Sequence, residues 1–169
     1  TRSSSVTGVQ TCALPISDLK RAREHQLERT ITIFPWIAII DKFQHWVYEN
    51  PTHTVAERTA TWTAILKEFS TNSIDYTGLD AYREIGWQRQ LHLFEVPFYY
   101  IEYGIAQLGA IGLWMQYQQN PKQALQNYIN ALSLGGTKTL PELYKAAGLE
   151  FNLSPDYIKT LMEFTAKEM

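Results

Sequence analysis

Proline and glycine mark where helical segments begin and end along most of this chain. Asn50-Pro51 and Asn120-Pro121 each end one segment, because the residue before a proline is pushed out of the helical conformation. Gly135-Gly136 is typical of a helix stop, and Ser154-Pro155 is typical of a helix start. Between these signals apolar residues recur at helical spacing, and no alternating strand pattern of useful length occurs. The sequence therefore predicts an all-α fold with about seven helices.

The same signals predict the extent of each helix. The first segment begins at Asp18, and Pro35 is expected to kink or interrupt it. Thr54 with Glu57 forms a capping box that opens the second helix. Pro97 is expected in the first turn of a long helix that carries the most informative residues. The remaining helices are expected over 79–90, 97–119, 121–134, 139–148 and 155–168.

The first residues of the chain do not share this pattern. Residues 1–16 have no periodicity, and the run VTGVQTCALPI (Val6–Ile16) resembles the in-frame translation of a common sequencing-library adapter. We therefore interpret residues 1–17 as an artefactual or disordered tail and residues 18–169 as the helical part. The single cysteine, Cys12, lies in this run and says nothing about redox chemistry.

Composition excludes several classes of protein. The formal net charge is −2, so there is no electrostatic footprint for nucleic acid. A single cysteine excludes a disulfide framework and a four-thiolate zinc site. The longest apolar stretch, Ile31–Ile40, is too short to span a bilayer. We expect neither nucleic acid nor a membrane as a partner.

Motifs for metal binding and for nucleophilic catalysis are missing from the sequence. The four histidines are His25, His45, His53 and His92, and none lies four residues from another, as a helical zinc pair requires. There is no Gly-x-Ser-x-Gly elbow and no phosphate-binding glycine loop. The sequence therefore predicts no metal site within this chain.

One segment combines an imidazole with several phenols. His92 precedes Tyr99, Tyr100 and Tyr103, and at about 100° per residue Tyr99 and Tyr103 lie about 40° apart on a helix. Glycines farther along this helix allow another backbone to approach closely; they are Gly104, Gly109 and Gly112. Aromatic residues at helical spacing usually pack into a core, so spacing alone leaves packing and function both open.

Three segments resemble the C-terminal part of the oligoendopeptidase F and thimet oligopeptidase family of zinc metallopeptidases. They occur in the order and spacing of that family, and the resemblance extends from about Asp18 to the end of the chain. The segments are FPWIAIIDKFQHWVYENP, HLFEVPFYYIEYGIAQLGA and ALSLGGTKTLPELYKAAGLEF.

The resemblance implies a helical, channel-containing enzyme that hydrolyses short peptides in the cytoplasm. It implies a zinc ion bound by a His-Glu-x-x-His helix upstream of this chain, so the chain is expected to be a fragment whose partner is the missing N-terminal part. It assigns catalytic roles to His92, Tyr100 and Tyr103, with the phenols stabilising the oxyanion, and substrate-binding roles to Tyr99 and His45. The fragment alone is expected to bind no zinc and to be inactive.

A second hypothesis, in which the protein is not an enzyme, also fits the residues. A stand-alone helical module whose tyrosine face binds a peptide would need neither a metal nor the upstream part. The two hypotheses share the same surface and differ in whether a reaction takes place there.

Overall fold

The computed structural model describes residues 16–71 and 74–168, and it confirms the all-α prediction for these residues. They form eight α-helices and one 3-10 helix, with no strand. The helices are α1 (Ile16–Glu49), α2 (Val55–Phe69), α3 (Asp80–Glu84), the 3-10 helix (Gly86–Arg89), α4 (His92–Glu95), α5 (Ile101–Gln119), α6 (Pro121–Ser133), α7 (Leu140–Ala146) and α8 (Pro155–Lys167). The adapter-like run lies outside the described residues except for Ile16, and its interpretation stays a prediction.

Helix α1 continues through Pro35, contrary to the expected interruption. It has 34 residues, which corresponds to a length of about 50 Å. A proline inside a helix costs about 3 kcal/mol because it removes one hydrogen bond and clashes with the preceding turn. Contacts on both sides of Pro35 offset this cost, since Leu27 is buried before it and Ile37 and Ile40 are buried beyond it.

The region between α2 and α5 is more broken than the sequence predicts. Instead of one helix over 79–90, it contains α3, the 3-10 helix and α4 as three short pieces. The long helix predicted from Pro97 begins at Ile101, because the four residues before it form turns. Short elements of this kind depend on tertiary contacts rather than on propensity, since isolated helical turns are unstable.

Two apolar clusters hold the helices together. The larger lies between α1, α2 and the 3-10 helix; its buried members are Ile39, Ile40, Phe43, Trp62, Ile65 and Trp87. The smaller joins α5 to α8 through Leu108, Ile111 and Leu161. Helix α5 also packs against α1 and α6. The loop that ends at α5 therefore lies beside the larger cluster, on a rigid base.

Some helix ends agree with the local signals in the sequence, and the role predicted for the glycines of α5 needs a correction. The capping box of Thr54 and Glu57 is present at the start of α2. The glycines of α5 make room for side chains rather than for another backbone. A Cβ at Gly109 would lie 2.6 Å from the hydroxyl of Tyr144, and a Cβ at Gly104 would lie 3.5 Å from Ile37.

Among the described helices, none combines the length and apolarity that crossing a membrane requires.

Candidate functional site

The turn before α5 has a strained backbone that is held by a long-range hydrogen bond. Phe98 has a φ of 57°, the left-handed region that side chains other than glycine rarely enter. Its backbone N–H donates to Oε1 of Gln44 on α1 at 2.9 Å. Gln44 is only 2% exposed, and its amide nitrogen has no partner among the described residues. A left-handed residue costs roughly 1–2 kcal/mol, and the hydrogen bond to Gln44 helps to offset this cost together with the contacts of the Phe98 ring.

This turn changes where the tyrosines lie relative to the helix. Only Tyr103 is inside α5, while Tyr100 is its N-cap residue and Tyr99 lies in the preceding turn. The prediction that two or three phenols lie on one face near the start of a helix is therefore wrong for Tyr99, whereas Tyr100 and Tyr103 both lie at the first turn of α5. The left-handed residue separates Pro97 from the helix, and the sequence gives no glycine or asparagine to signal it.

The structure nevertheless brings the four predicted rings together, and we call His92, Tyr99, Tyr100 and Tyr103 the four-ring cluster. The ring of His92 lies 4.9 Å from that of Tyr100 and 5.7 Å from that of Tyr103, both edge-on. The rings of Tyr100 and Tyr103 are 5.0 Å apart. Tyr99 closes the cluster, with its ring 5.8 Å from Tyr103 and 6.3 Å from His92.

A chain of hydrogen bonds runs through the cluster. Nε2 of Gln90 lies 2.7 Å from Nδ1 of His92. On the other side of the ring, Nε2 of His92 lies 3.0 Å from the hydroxyl oxygen of Tyr103. Both ring nitrogens of His92 are therefore engaged, which fixes the orientation of the imidazole.

The phenols of the cluster are open to solvent rather than sealed in a core. Tyr103 is 41% exposed and Tyr99 is 47% exposed. Tyr100 is half-buried, and its ring also packs against the larger apolar cluster. Cavities of about 660, 420 and 310 Å³ open elsewhere on the molecule, and none of these is lined by the four rings. The cluster is an open wall and not an enclosed pocket.

His45 lies outside the four-ring cluster and packs against the turn that precedes α5. Its ring is 4.8 Å from the ring of Phe98, and its Nε2 lies 3.5 Å from Asp41 on the same helix. Tyr48 packs against the other part of Phe98, at 5.0 Å. His45 thus borders the exposed surface next to the tyrosines.

The residues that hold the site were not among those assigned to it from the sequence. They are Gln44, Gln90 and Phe98. No spacing rule could identify them, because the Gln44 contact joins residues 54 positions apart and Gln90 is two residues from its partner. A polar residue inside an apolar helical stripe is the one available signal, and it applies to Gln44 alone.

The zinc ion that the family resemblance implies does not fit the donor groups present. Within the described ranges 16–71 and 74–168, no three His, Cys, Asp or Glu side chains lie close enough to hold a metal ion. The whole sequence also lacks a His-Glu-x-x-His motif. The site consists of hydrogen-bonding groups only.

Comparison with known proteins connects this fold to peptidases. Two similar solved structures are an oligoendopeptidase F, with a TM-score of 0.75, and a PZ peptidase A with an inhibitor, with a TM-score of 0.77. Each is 32% identical to this chain, and the similarity covers 89% of this chain but only 27% and 28% of theirs. No curated protein matches the sequence. The sequence profile of peptidase family M3 matches residues 9–163, and this chain therefore belongs to peptidase family M3.

Proposed function

We propose that the four-ring cluster is the substrate-facing wall of a metallopeptidase that cleaves short peptides. The observation that carries this proposal is the hydrogen bond between His92 and Tyr103, made by a phenol that remains 41% exposed. A tyrosine that only packs would bury its ring, whereas the ring of Tyr103 is partly exposed and its hydroxyl is held by His92. Here an oriented hydroxyl lies at the surface, where a peptide carbonyl can reach it.

The chemistry assigned to this chain is hydrogen bonding to a developing oxyanion. Peptide hydrolysis places negative charge on the carbonyl oxygen, and preorganised donors stabilise that charge. Phenols are protonated donors at neutral pH, and their rings here are fixed by mutual contact. Tyr103 and Tyr100 are the proposed donors, and His92 orients Tyr103. Removing one such donor lowers turnover by about 10²–10³.

The neighbouring exposed rings are proposed to bind the substrate rather than to take part in the reaction. Tyr99 follows Phe98 in the turn, and His45 packs against the ring of Phe98, which is itself exposed. Flat aromatic surfaces favour a peptide side chain or backbone at low entropic cost. The proposal includes a parent enzyme, located in the cytoplasm, whose other part binds the zinc ion; this rests on the family resemblance.

A chimeric enzyme tests the catalytic role. Residues 18–168 of this chain would replace the matching segment of the oligoendopeptidase F, and turnover of a short fluorogenic peptide would be measured. We expect Tyr103→Phe to lower kcat by about 10²–10³ while KM changes little. Tyr117→Phe is the matched control, because Tyr117 is 49% exposed on the same helix but far from the cluster. Equal turnover of the two variants would remove Tyr103 from the mechanism.

A second measurement uses the 169-residue chain itself and does not depend on the chimera. Titration with a short neutral peptide, followed by NMR of the tyrosine rings, should shift Tyr99, Tyr100 and Tyr103 and leave Tyr117 unchanged. Shifts confined to other surfaces would contradict the proposal. Because a non-catalytic peptide-binding module would use the same surface, this titration locates the binding face, and turnover in the chimera distinguishes the two hypotheses.

A further inference from the structure

The contact between His92 and Gln90 indicates which ring nitrogen of His92 carries its hydrogen. The partner of Nδ1 is the amide nitrogen of Gln90, at 2.7 Å. An amide nitrogen can only donate, so Nδ1 of the neutral ring must accept. The hydrogen of the neutral imidazole is therefore on Nε2.

This tautomer decides what the hydroxyl of Tyr103 can do. With the hydrogen on Nε2, His92 donates to the phenol oxygen across the 3.0 Å contact. The phenol then keeps its own hydrogen for a third group. With the opposite tautomer, Tyr103 would have to donate to Nε2 and would have no hydrogen left for a substrate.

We propose that Gln90 is a positioning residue that sets the tautomer of His92 and thereby leaves the Tyr103 hydroxyl hydrogen available to a peptide carbonyl. The inference rests on the proposed function of the four-ring cluster for its last step, and on the hydrogen-bond geometry alone for the tautomer. Gln90 ends the 3-10 helix and His92 begins α4, so the short pieces of backbone between α2 and α5 bring the two side chains together.

His53 provides an internal reference, because its hydrogen bonds place the hydrogen on the other ring nitrogen. Nδ1 of His53 contacts the backbone carbonyl of Asn50, which can only accept. Nε2 of His53 accepts from Nε–H of Arg58 at 2.7 Å. His53 must therefore carry its hydrogen on Nδ1, the reverse of His92.

The tautomers can be read directly by NMR of the full chain labelled with ¹⁵N-histidine. At about pH 9, where imidazoles are neutral, long-range ¹H–¹⁵N correlations show which ring nitrogen bears the hydrogen. We expect Nε2–H for His92 and Nδ1–H for His53 in the same spectrum. A hydrogen on Nδ1 of His92 would mean that the Gln90 amide presents its oxygen instead, and would overturn the inference without any variant being needed.

A charge-matched pair of variants tests the cause. Gln90→Glu replaces the donor with a carboxylate that can only accept, and at the same pH it should move the hydrogen of His92 to Nδ1. Gln88→Glu adds the same charge two residues away on an exposed side chain and should leave the tautomer unchanged. A Gln90→Glu spectrum identical to that of the unsubstituted chain would overturn the assignment of this role to Gln90.

Turnover in the chimera separates this inference from the proposed function. Gln90→Glu should lower kcat about 10²-fold, and it should cause no further loss in a Tyr103→Phe background, because both changes remove the same hydrogen bond. If Tyr103→Phe slows the enzyme but Gln90→Glu does not, the inference fails and the proposed function stands. If His92 has the expected tautomer but Tyr103→Phe does not slow the enzyme, the proposed function is what fails.

Discussion

Two groups of aromatic rings in this protein have similar geometry and opposite surroundings. The first group, the buried ring cluster, consists of Trp36, Phe43 and Trp62 in the larger apolar cluster. Trp62 lies 5.0 Å from Phe43 and 6.0 Å from Trp36, both edge-on. In the four-ring cluster, the corresponding separations are 4.9–6.3 Å. Trp62 is 1% exposed, whereas Tyr103 is 41% exposed. Ring geometry alone therefore does not distinguish a packing cluster from a candidate site.

The two clusters differ in whether the polar groups of the rings keep a hydrogen-bond donor that the fold does not use. Nε1–H of Trp62 donates to the backbone carbonyl of Arg83 at 2.8 Å, so its only donor is used inside the fold. In the tautomer proposed for His92, the hydroxyl of Tyr103 accepts a hydrogen bond from His92 across 3.0 Å and retains its own hydrogen as a donor. We conclude that a hydrogen bond left available at an exposed, oriented group is the feature that marks the candidate site.

The largest expected effect is on stability, in the buried ring cluster. Trp62→Ala should lower the free energy of unfolding by about 3–5 kcal/mol, because it removes a large buried side chain and leaves a cavity. Urea denaturation of the 169-residue chain measures this. Tyr103→Phe, its counterpart in the exposed cluster, should change stability by only about 0.5 kcal/mol. Equal losses in the two variants would remove the distinction between the clusters.

A smaller effect is expected where the two regions meet. Gln44→Leu leaves the backbone N–H of Phe98 without its acceptor and should lower the free energy of unfolding by about 1–3 kcal/mol. It should also shift the NMR resonances of Tyr99 and Tyr100, since the turn they lie in is no longer held. Gln116→Leu on α5, whose side chain donates to the carbonyl of Gly148, controls for loss of a glutamine contact elsewhere. Unchanged tyrosine resonances in Gln44→Leu would show that other contacts hold the turn.

The smallest expected effect is on the pH dependence of stability, at the exposed capping box of Thr54 and Glu57. Hydrogen bonds from Thr54 lower the pKa of Glu57 below 4.5; the bond from its backbone N–H has the larger effect and the bond from its side chain the smaller. Because the folded pKa is depressed, the capping box stabilises the fold above pH 4.5, and this stabilisation is lost as the pH falls through the folded pKa. Unfolding curves recorded between neutral pH and acid should show this loss.

Glu57→Gln is the control for the acid-sensitive capping box. It should reduce the dependence of stability on pH below about 4.5. The pKa of Glu142 is lowered in the same way by hydrogen bonds from Thr139, so part of the dependence should remain. An identical pH dependence in Glu57→Gln would show that the capping box contributes nothing to the acid sensitivity of the fold. A reduced dependence would show that this exposed carboxylate stabilises the structure.

Much of the fold, and the closeness of His92 to its tyrosines, could be predicted from the sequence. The capping box at Thr54, the helix start at Ser154 and the helix stop near Gly135 depend on groups within a few residues of each other. Such local interactions are encoded directly in the order of residues. The grouping of His92 with its tyrosines followed from their closeness in the chain and from the family resemblance.

Only the tertiary structure decided how those residues are presented. The break before α5 exists because Gln44, 54 residues away, accepts the backbone hydrogen bond of a left-handed Phe98. Helix α1 passes through Pro35 because the packing around it offsets the cost of the proline. The tautomer of His92 is set by a side chain two residues before it. Local sequence specifies conformations that local contacts stabilise, whereas these three features depend on contacts that form only when distant or irregular segments are brought together.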